Sequence, residues 1–467
     1  MMAFLNVALL VATAAALIWL SSRRNLSPAL MTSLAAYFVM WLVTPVVAVL
    51  CAWDRITSRW MVVPGDRFLR MAAIEIAAFL ATVIWFGLSR RRTYRWITRA
   101  GISRWSMPRR LENAAIIAAA VVDILIRRQM LAIVGSTYSE ANAFAVTAQG
   151  SLAAALLNVL LLFDTVLSSF LMAVLLRRRS EGRAPRAIVL LVWAWVIGTS
   201  LMFVLAGSRL ALITPCVLLL VYIHNGAMSR HAIIVAYSAM AIFGLTIGVA
   251  TALVIGAMRG GSGQLQLSTA AAESKSLFGQ QPMSETAWAF YDQIYIKFDG
   301  ISMGAYLVDR LGRAGIKPYV GAALAIVPRI ILPSKPTPGS IDGTLQGTPP
   351  RLIAVAIGMD PLVGNVGVSS AAMEMWHFGW LGLIPLLLFN LFQWRMINSF
   401  LLTPSLVTRT LALYLIAIPS FAGLFTSGDI VVMNCMRMLV LFLGAAVLHY
   451  ALRGAVPLAP RRPIVQT

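Results

Sequence analysis

Apolar runs of bilayer length recur along this chain, and nothing else constrains its fold as strongly. Crossing the hydrocarbon core takes about 20 residues of helix. Runs of that kind cover roughly 2–20, 29–53, 70–88, 112–135, 152–176, 186–206, 209–224, 232–257, 377–394, 409–427 and 430–452. In lipid a backbone must satisfy its own hydrogen bonds, so each run is expected to be a helix. The sequence therefore predicts an all-α polytopic membrane protein with about eleven transmembrane helices. Only 12% of its residues are charged and 60% are hydrophobic, against roughly 25% charged in a soluble domain. The first run has no basic residue before it, and Arg23 and Arg24 follow it. It is expected to be a retained first span with its amino end outside, not a cleaved signal peptide.

The net charge of +21 does not point to nucleic acid, because the arginines cluster in short connections between apolar runs. Arg23 and Arg24, the segments 90–110, 177–186 and 224–231, Arg395 and the tail after the last run all fall on one face if the spans alternate. The positive-inside rule makes that face cytoplasmic. The carboxyl terminus is then inside and the long connection outside. This gives three regions: 1–257 with the first eight spans, 258–376 as one large outer loop, and 377–467 with the last three spans and a cytoplasmic tail. The loop runs from Gly-Ser-rich (RGGSGQLQLS) through aromatic and acidic (WAFYDQIYIKFDG) to proline-rich (IVPRIILPSKPTPG), and it holds all four lysines, Lys275, Lys297, Lys317 and Lys335. A connection this long is usually functional. Short helices are expected in it over 285–314 and 318–332.

The informative cations are those that the positive-inside rule leaves unexplained. Arg127 and Arg128 sit about 15 residues into the fourth run, Arg209 lies at the outer end of the seventh, and Arg437 lies in the last. Arg310, Arg313, Arg329, Lys335 and Arg351 lie in the outer loop. An arginine within a span is costly unless it faces a cavity or a partner. Two readings are open: snorkelling or pairing with an acid such as Asp123, Asp429 or Glu75, or a shared anion site at the outer leaflet. Guanidinium groups suit phosphates, since they stay charged and bind bidentately.

Of the four histidines, His224, His231 and His449 fall on the inner side, and only His377 is placed outside, where the loop meets the ninth run. Glu374 precedes it by three residues, so both share a helix face if that helix starts early. His377 is read either as structural or as a titratable group at the mouth of a cation-rich cavity. There is no phosphate-binding glycine loop, and no HExxH or CxxC, so neither a nucleotide nor a zinc site is expected. Asp292 and Asp299 are seven apart and read as one solvated helix face. Cys51, Cys216 and Cys435 lie in or beside apolar runs and read as packing residues.

The order of features in the second half resembles the Wzy-type polymerases of O-antigen and exopolysaccharide synthesis, and more distantly the O-antigen ligases. GSRLA (Gly207 to Ala211) opens a span on the outer side, and the long outer loop follows two spans later. PRIILPSKP (Pro328 to Pro336) is similar to the family's proline-arginine and proline-lysine-proline element. EMWHFGWLG (Glu374 to Gly382) is similar to the acidic, aromatic and glycine cluster that opens the next span. The resemblance covers about 200–460. It implies a glycosyltransferase-C-type fold and metal-independent transfer of a growing glycan from one polyprenyl pyrophosphate to the terminal sugar of another lipid-linked repeat. It places that activity at the periplasmic face of a bacterial inner membrane, with no cofactor, and implies a flippase and a chain-length regulator as partner proteins.

On that resemblance Arg209 and Arg329 would hold the donor pyrophosphate, and His377 or Glu374 would take the acceptor's proton. Lys335, Arg351, Arg310 and Arg313 would bind substrate from the loop, and Arg127, Arg128 and Arg437 would line a lipid path. The rival readings are a ligase that moves finished polymer and a non-enzymatic flippase or transporter of lipid-linked oligosaccharide.

Overall fold

The computed structural model of the chain describes residues 1–22, 26–56, 63–89, 109–134, 152–180, 190–191, 193–195, 198, 300–327, 331–332, 334–337, 340–342, 347–356, 368–403, 405–417 and 424–455. Among them every regular element is helical. Before the long connection 258–376 come α1 (Met2–Ser21), α2 (Pro28–Tyr37), a π-helical stretch (Phe38–Val43), α3 (Thr44–Ile56), α4 (Gly65–Leu88), α5 (Arg109–Val134) and α6 (Leu152–Ser180). The loop contributes α7 (Gly300–Arg310), α8 (Lys317–Ala323), a 3₁₀ turn (Leu324–Ile326) and α9 (Pro349–Ala356). Then follow α10 (Ser370–Phe378), a 3₁₀ turn (Gly379–Gly382), α11 (Leu383–Leu402), α12 (Leu406–Ala417) and α13 (Gly428–Ala455).

Among the described residues five helical segments are long and apolar enough to cross a membrane: Met2–Ser21, Ala29–Leu50, Gly65–Leu88, Val159–Arg178 and Ser370–Leu402. They fall on five of the expected runs. Helices α5 and α13 coincide with 112–135 and 430–452, and α12 with the start of 409–427. The runs 209–224 and 232–257 lie outside the described residues, and only fragments of 186–206 are described.

Local chemistry explains the breaks. Pro45 has no N–H to bond the carbonyl of residue 41, so a regular α-helix is disfavoured there. The chain answers with the π-helical stretch (Phe38–Val43), and the Thr44 hydroxyl donates to the Val39 carbonyl at 2.8 Å. In the loop, a residue before proline avoids the helical region. Val327 precedes Pro328 and is extended (φ −75°, ψ 121°), so the helix expected over 318–332 ends there. Lys335 then folds back, and its ammonium donates to the carbonyls of Ala325 and Val327, a cation on the freed acceptors of a helix end. Of the other expected loop helix, α7 is its last third, and 285–299 lie outside the described residues.

Helix α4 is the hub, packing against α1, α7, α10 and α11, while α6 joins α5 to α12. Phe79 of α4 centres an aromatic core, with ring centroids 5.3 Å from Tyr37, 5.3 Å from Phe425 and 5.6 Å from Trp394. Loop helix α7 lies directly on α10 through two glycines one turn apart. A Cβ on Gly304 would meet that of Ala372 at 2.5 Å, and one on Gly300 would meet the Ser369 nitrogen at 3.1 Å. Only small residues let two backbones approach this closely.

Candidate functional site

The site grows from the start of α10. Ser370, Glu374 and His377 recur one turn apart and so share a face. The helix begins at Ser370, early enough to place Glu374 and His377 together as the sequence required. Its N-terminal amides are held from another helix. Glu75 of α4 accepts hydrogen bonds from the Ser370 N–H (3.1 Å) and the Ala371 N–H (2.7 Å).

That face of α10 meets the non-helical segment before α13. Buried irregular backbone must find partners for its peptide groups, and side chains supply them. Asn390 donates to the Thr426 carbonyl (2.7 Å) and accepts from the Thr426 N–H (3.0 Å). Trp394 donates to the Leu424 carbonyl, and the Ser370 hydroxyl to the Phe425 carbonyl at 2.8 Å. Glu374 Oε1 accepts from the Gly428 N–H and from the Tyr319 hydroxyl of α8, the latter at 2.7 Å. Gly428 is dictated by this crowding, since a Cβ there would lie 2.3 Å from the Tyr319 oxygen.

These contacts leave reactive atoms without partners. Glu374 is 0% exposed and His377 1% exposed. Glu374 Oε2 lies 3.5 Å from His377 Nδ1, yet neither it nor either ring nitrogen of His377 has a hydrogen-bond partner. Such buried polar atoms are costly to leave unsatisfied, and three of them lie together here. Asp429 completes the cluster, with Oδ1 accepting from the Ser427 hydroxyl. Donor atoms of Glu374, His377 and Asp429 all lie within 4.8 Å of one another, so these three side chains are the ones that could hold a divalent ion among the described residues. Two carboxylates and an imidazole suit a first-row transition ion better than magnesium or calcium.

Aromatic rings wall the cluster. Tyr319 stands 5.5 Å from the His377 ring at 68°, and Trp376 and Phe378 lie 5.5 and 5.9 Å from it. Burial, and then the neighbouring Glu374 carboxylate, hold the Tyr319 phenol well above its ordinary pKa, so it stays a donor. The loop closes over the end of α10: the Ala314 N–H donates to the Trp376 carbonyl (3.1 Å) and the Gly315 N–H to that of His377 (3.2 Å). This brings the exposed Arg313 onto Gly379, whose φ of 65° favours glycine. A Cβ at Gly379 would approach the Arg313 guanidinium to 3.0 Å.

Of the residues singled out in the sequence, the fold thus gathers Glu374, His377 and Arg313. Arg310 is exposed at the end of α7, and Arg351 is partly buried in α9. Lys335 holds loop carbonyls, as described above. Arg437 pairs with the Tyr414 hydroxyl. Arg127 lies in a separate buried network with Asp123 (3.0 Å) and Asp164 (2.6 Å), while Arg128 is exposed. Arg209 and Arg329 lie outside the described residues, as does Cys216; Cys435 is a free thiol. Sequence reasoning did not join Asp429 or Tyr319 to the site. The signal for Asp429 was present in Ser427-Gly-Asp at the start of an apolar run, a helix N-terminus signature. No protein-family model matches the chain, and neither does any curated protein or solved structure.

Proposed function

We propose that the protein is a polysaccharide polymerase of about eleven spans. In this reading it joins lipid-linked repeat units at the periplasmic face of a bacterial inner membrane. The observation that carries it is the buried Glu374–His377 pair, unpartnered at Oε2 and at both ring nitrogens, where the outer loop meets a span. The order of sequence elements around that pair, which resembles the Wzy-type polymerases, supplies the substrate class.

In this mechanism Glu374, fixed by Tyr319 and Gly428, faces the imidazole at Nδ1 from 3.5 Å. His377 Nε2 then takes the proton of the acceptor sugar hydroxyl, as a positioned general base does. The acceptor oxygen bonds to the donor's anomeric carbon as the bond from that carbon to the phosphate oxygen breaks. The electron pair leaves on the polyprenyl pyrophosphate, whose charge Arg209, Arg329 and Arg313 stabilise. Losing one such charge-stabilising donor costs about 3 kcal/mol, or roughly a hundredfold in rate.

Deleting the protein in its native cell tests the class of activity. A polymerase deletion leaves single lipid-linked repeats outside the membrane. Long lipid-linked chains in the deletion strain would instead assign a ligase, and repeats retained on the cytoplasmic face a flippase.

A further inference from the structure

We infer that Glu75 is a positioning residue for the candidate site: from within a membrane span it fixes the N-terminus of α10, and so aims Glu374 and His377 at the 425–429 segment. This deepens the function proposed above, and only the rate measurement below rests on that reading.

The geometry is bidentate. The two carboxylate oxygens of Glu75 take the first two amides of α10, at 3.1 and 2.7 Å, from a residue 295 positions away in sequence. The Tyr37 hydroxyl bonds the same carboxylate. A local cap was available and is not used: Ser369 occupies the N-cap position with extended backbone (φ −66°, ψ 148°) but makes no capping bond. An ionisable group in a span is costly and is kept where it has a task. Here the carboxylate complements the positive end of α10, which is also where a helix would otherwise bind an anionic ligand. Those two amides are therefore already taken and are not left open to an anionic ligand.

Fixing these amides sets both the rotation and the height of α10. Three rungs then come into register with the segment before α13: Ser370 with Phe425, Glu374 with Gly428, and His377 beside Asp429. Without Glu75, the start of α10 keeps the Ser370–Phe425 rung and the Ser369 N–H to Gly300 carbonyl bond (2.7 Å) but loses the bonds to its first two amides.

The test uses the full-length protein in detergent, as Glu75→Gln and Glu75→Ala. Carbethoxylation of His377 by diethylpyrocarbonate, followed by mass spectrometry with His449 as internal reference, reads the position of the imidazole without any assay of activity. Glu75→Ala is expected to raise the His377 rate relative to His449, and Glu75→Gln, which keeps an acceptor for one amide, to restore most of the protection. In the polymerisation assay Glu75→Ala is expected to lower kcat about a hundredfold, the size of effect that a displacement of about 1 Å produces, with KM for the lipid-linked repeat little changed. Unchanged His377 modification in Glu75→Ala overturns the inference, and so does an equal rise in the two variants. A wild-type protein without polymerase activity would sink the proposed function and leave the chemical-modification result to decide the role of Glu75.

Discussion

His377→Ala is expected to abolish long polymer, lowering the transfer rate by about 10²–10⁴-fold, the range that a positioned general base contributes. The imidazole is the one group in the cluster with both polar atoms unpartnered, so no structural hydrogen bond is lost with it. Its ring contacts with Tyr319, Trp376 and Phe378 are packing that alanine weakens modestly, and the amount of protein in the membrane should hold. Glu374→Gln is expected to fall between wild type and His377→Ala. A glutamine still accepts the Tyr319 and Gly428 bonds on Oε1, but it presents an amide instead of a carboxylate to Nδ1. Polymer length and amount on gels, normalised to protein in the membrane, check both variants. Normal product from His377→Ala would remove the pair from the chemistry.

Arg127→Ala is expected to destabilise the protein by about 3–5 kcal/mol, the cost of removing one partner of a buried ion pair. Its guanidinium bonds Asp123 on its own helix (3.0 Å), Asp164 (2.6 Å) and the Ser168 hydroxyl (3.1 Å) on α6, and lies 5.6 Å from the Trp195 ring centroid. Trp195 in turn donates to Asp123 at 2.9 Å. Removing the cation leaves two carboxylates facing each other in an apolar bundle. The triple variant Arg127→Met, Asp123→Asn, Asp164→Asn is expected to recover most of the loss, because neutral groups of similar volume carry a much smaller desolvation penalty than buried ions. Apparent melting temperature in detergent measures both. A lipid-path role alone predicts no loss of stability in Arg127→Ala.

What the sequence made legible follows from the kinds of signal that it carries. Spans are local, and bilayer length is written in consecutive residues, so five described helices fall on expected runs. Glu374 and His377 were legible because both lie on one short helix, and Arg313 because it is one of the cations that the positive-inside rule leaves unexplained. Asp429 and Tyr319 were not, since they reach Glu374 from 55 residues on either side and nothing local couples them. For Arg127 the sequence offered two readings, and its partner Asp123, four residues earlier, was legible while Asp164 on the next helix was not. Lys335 looked like a phosphate ligand because loops give no hint of where they fold back. In the fold its ammonium reaches back to the carbonyls of Ala325 and Val327, where the 3₁₀ turn after α8 ends.

The most direct measurement of the central claim is polymerisation by the purified protein from one defined lipid-linked repeat unit, without nucleotide and in the presence of a chelator. The account predicts chains of many repeats, released polyprenyl pyrophosphate in proportion to the bonds formed, and none of either with His377→Ala. Chains that form only when a divalent ion is restored would turn Glu374, His377 and Asp429 from an acid–base cluster into a metal centre. Absence of any product from intact, folded protein under both conditions would contradict the assignment as a polymerase.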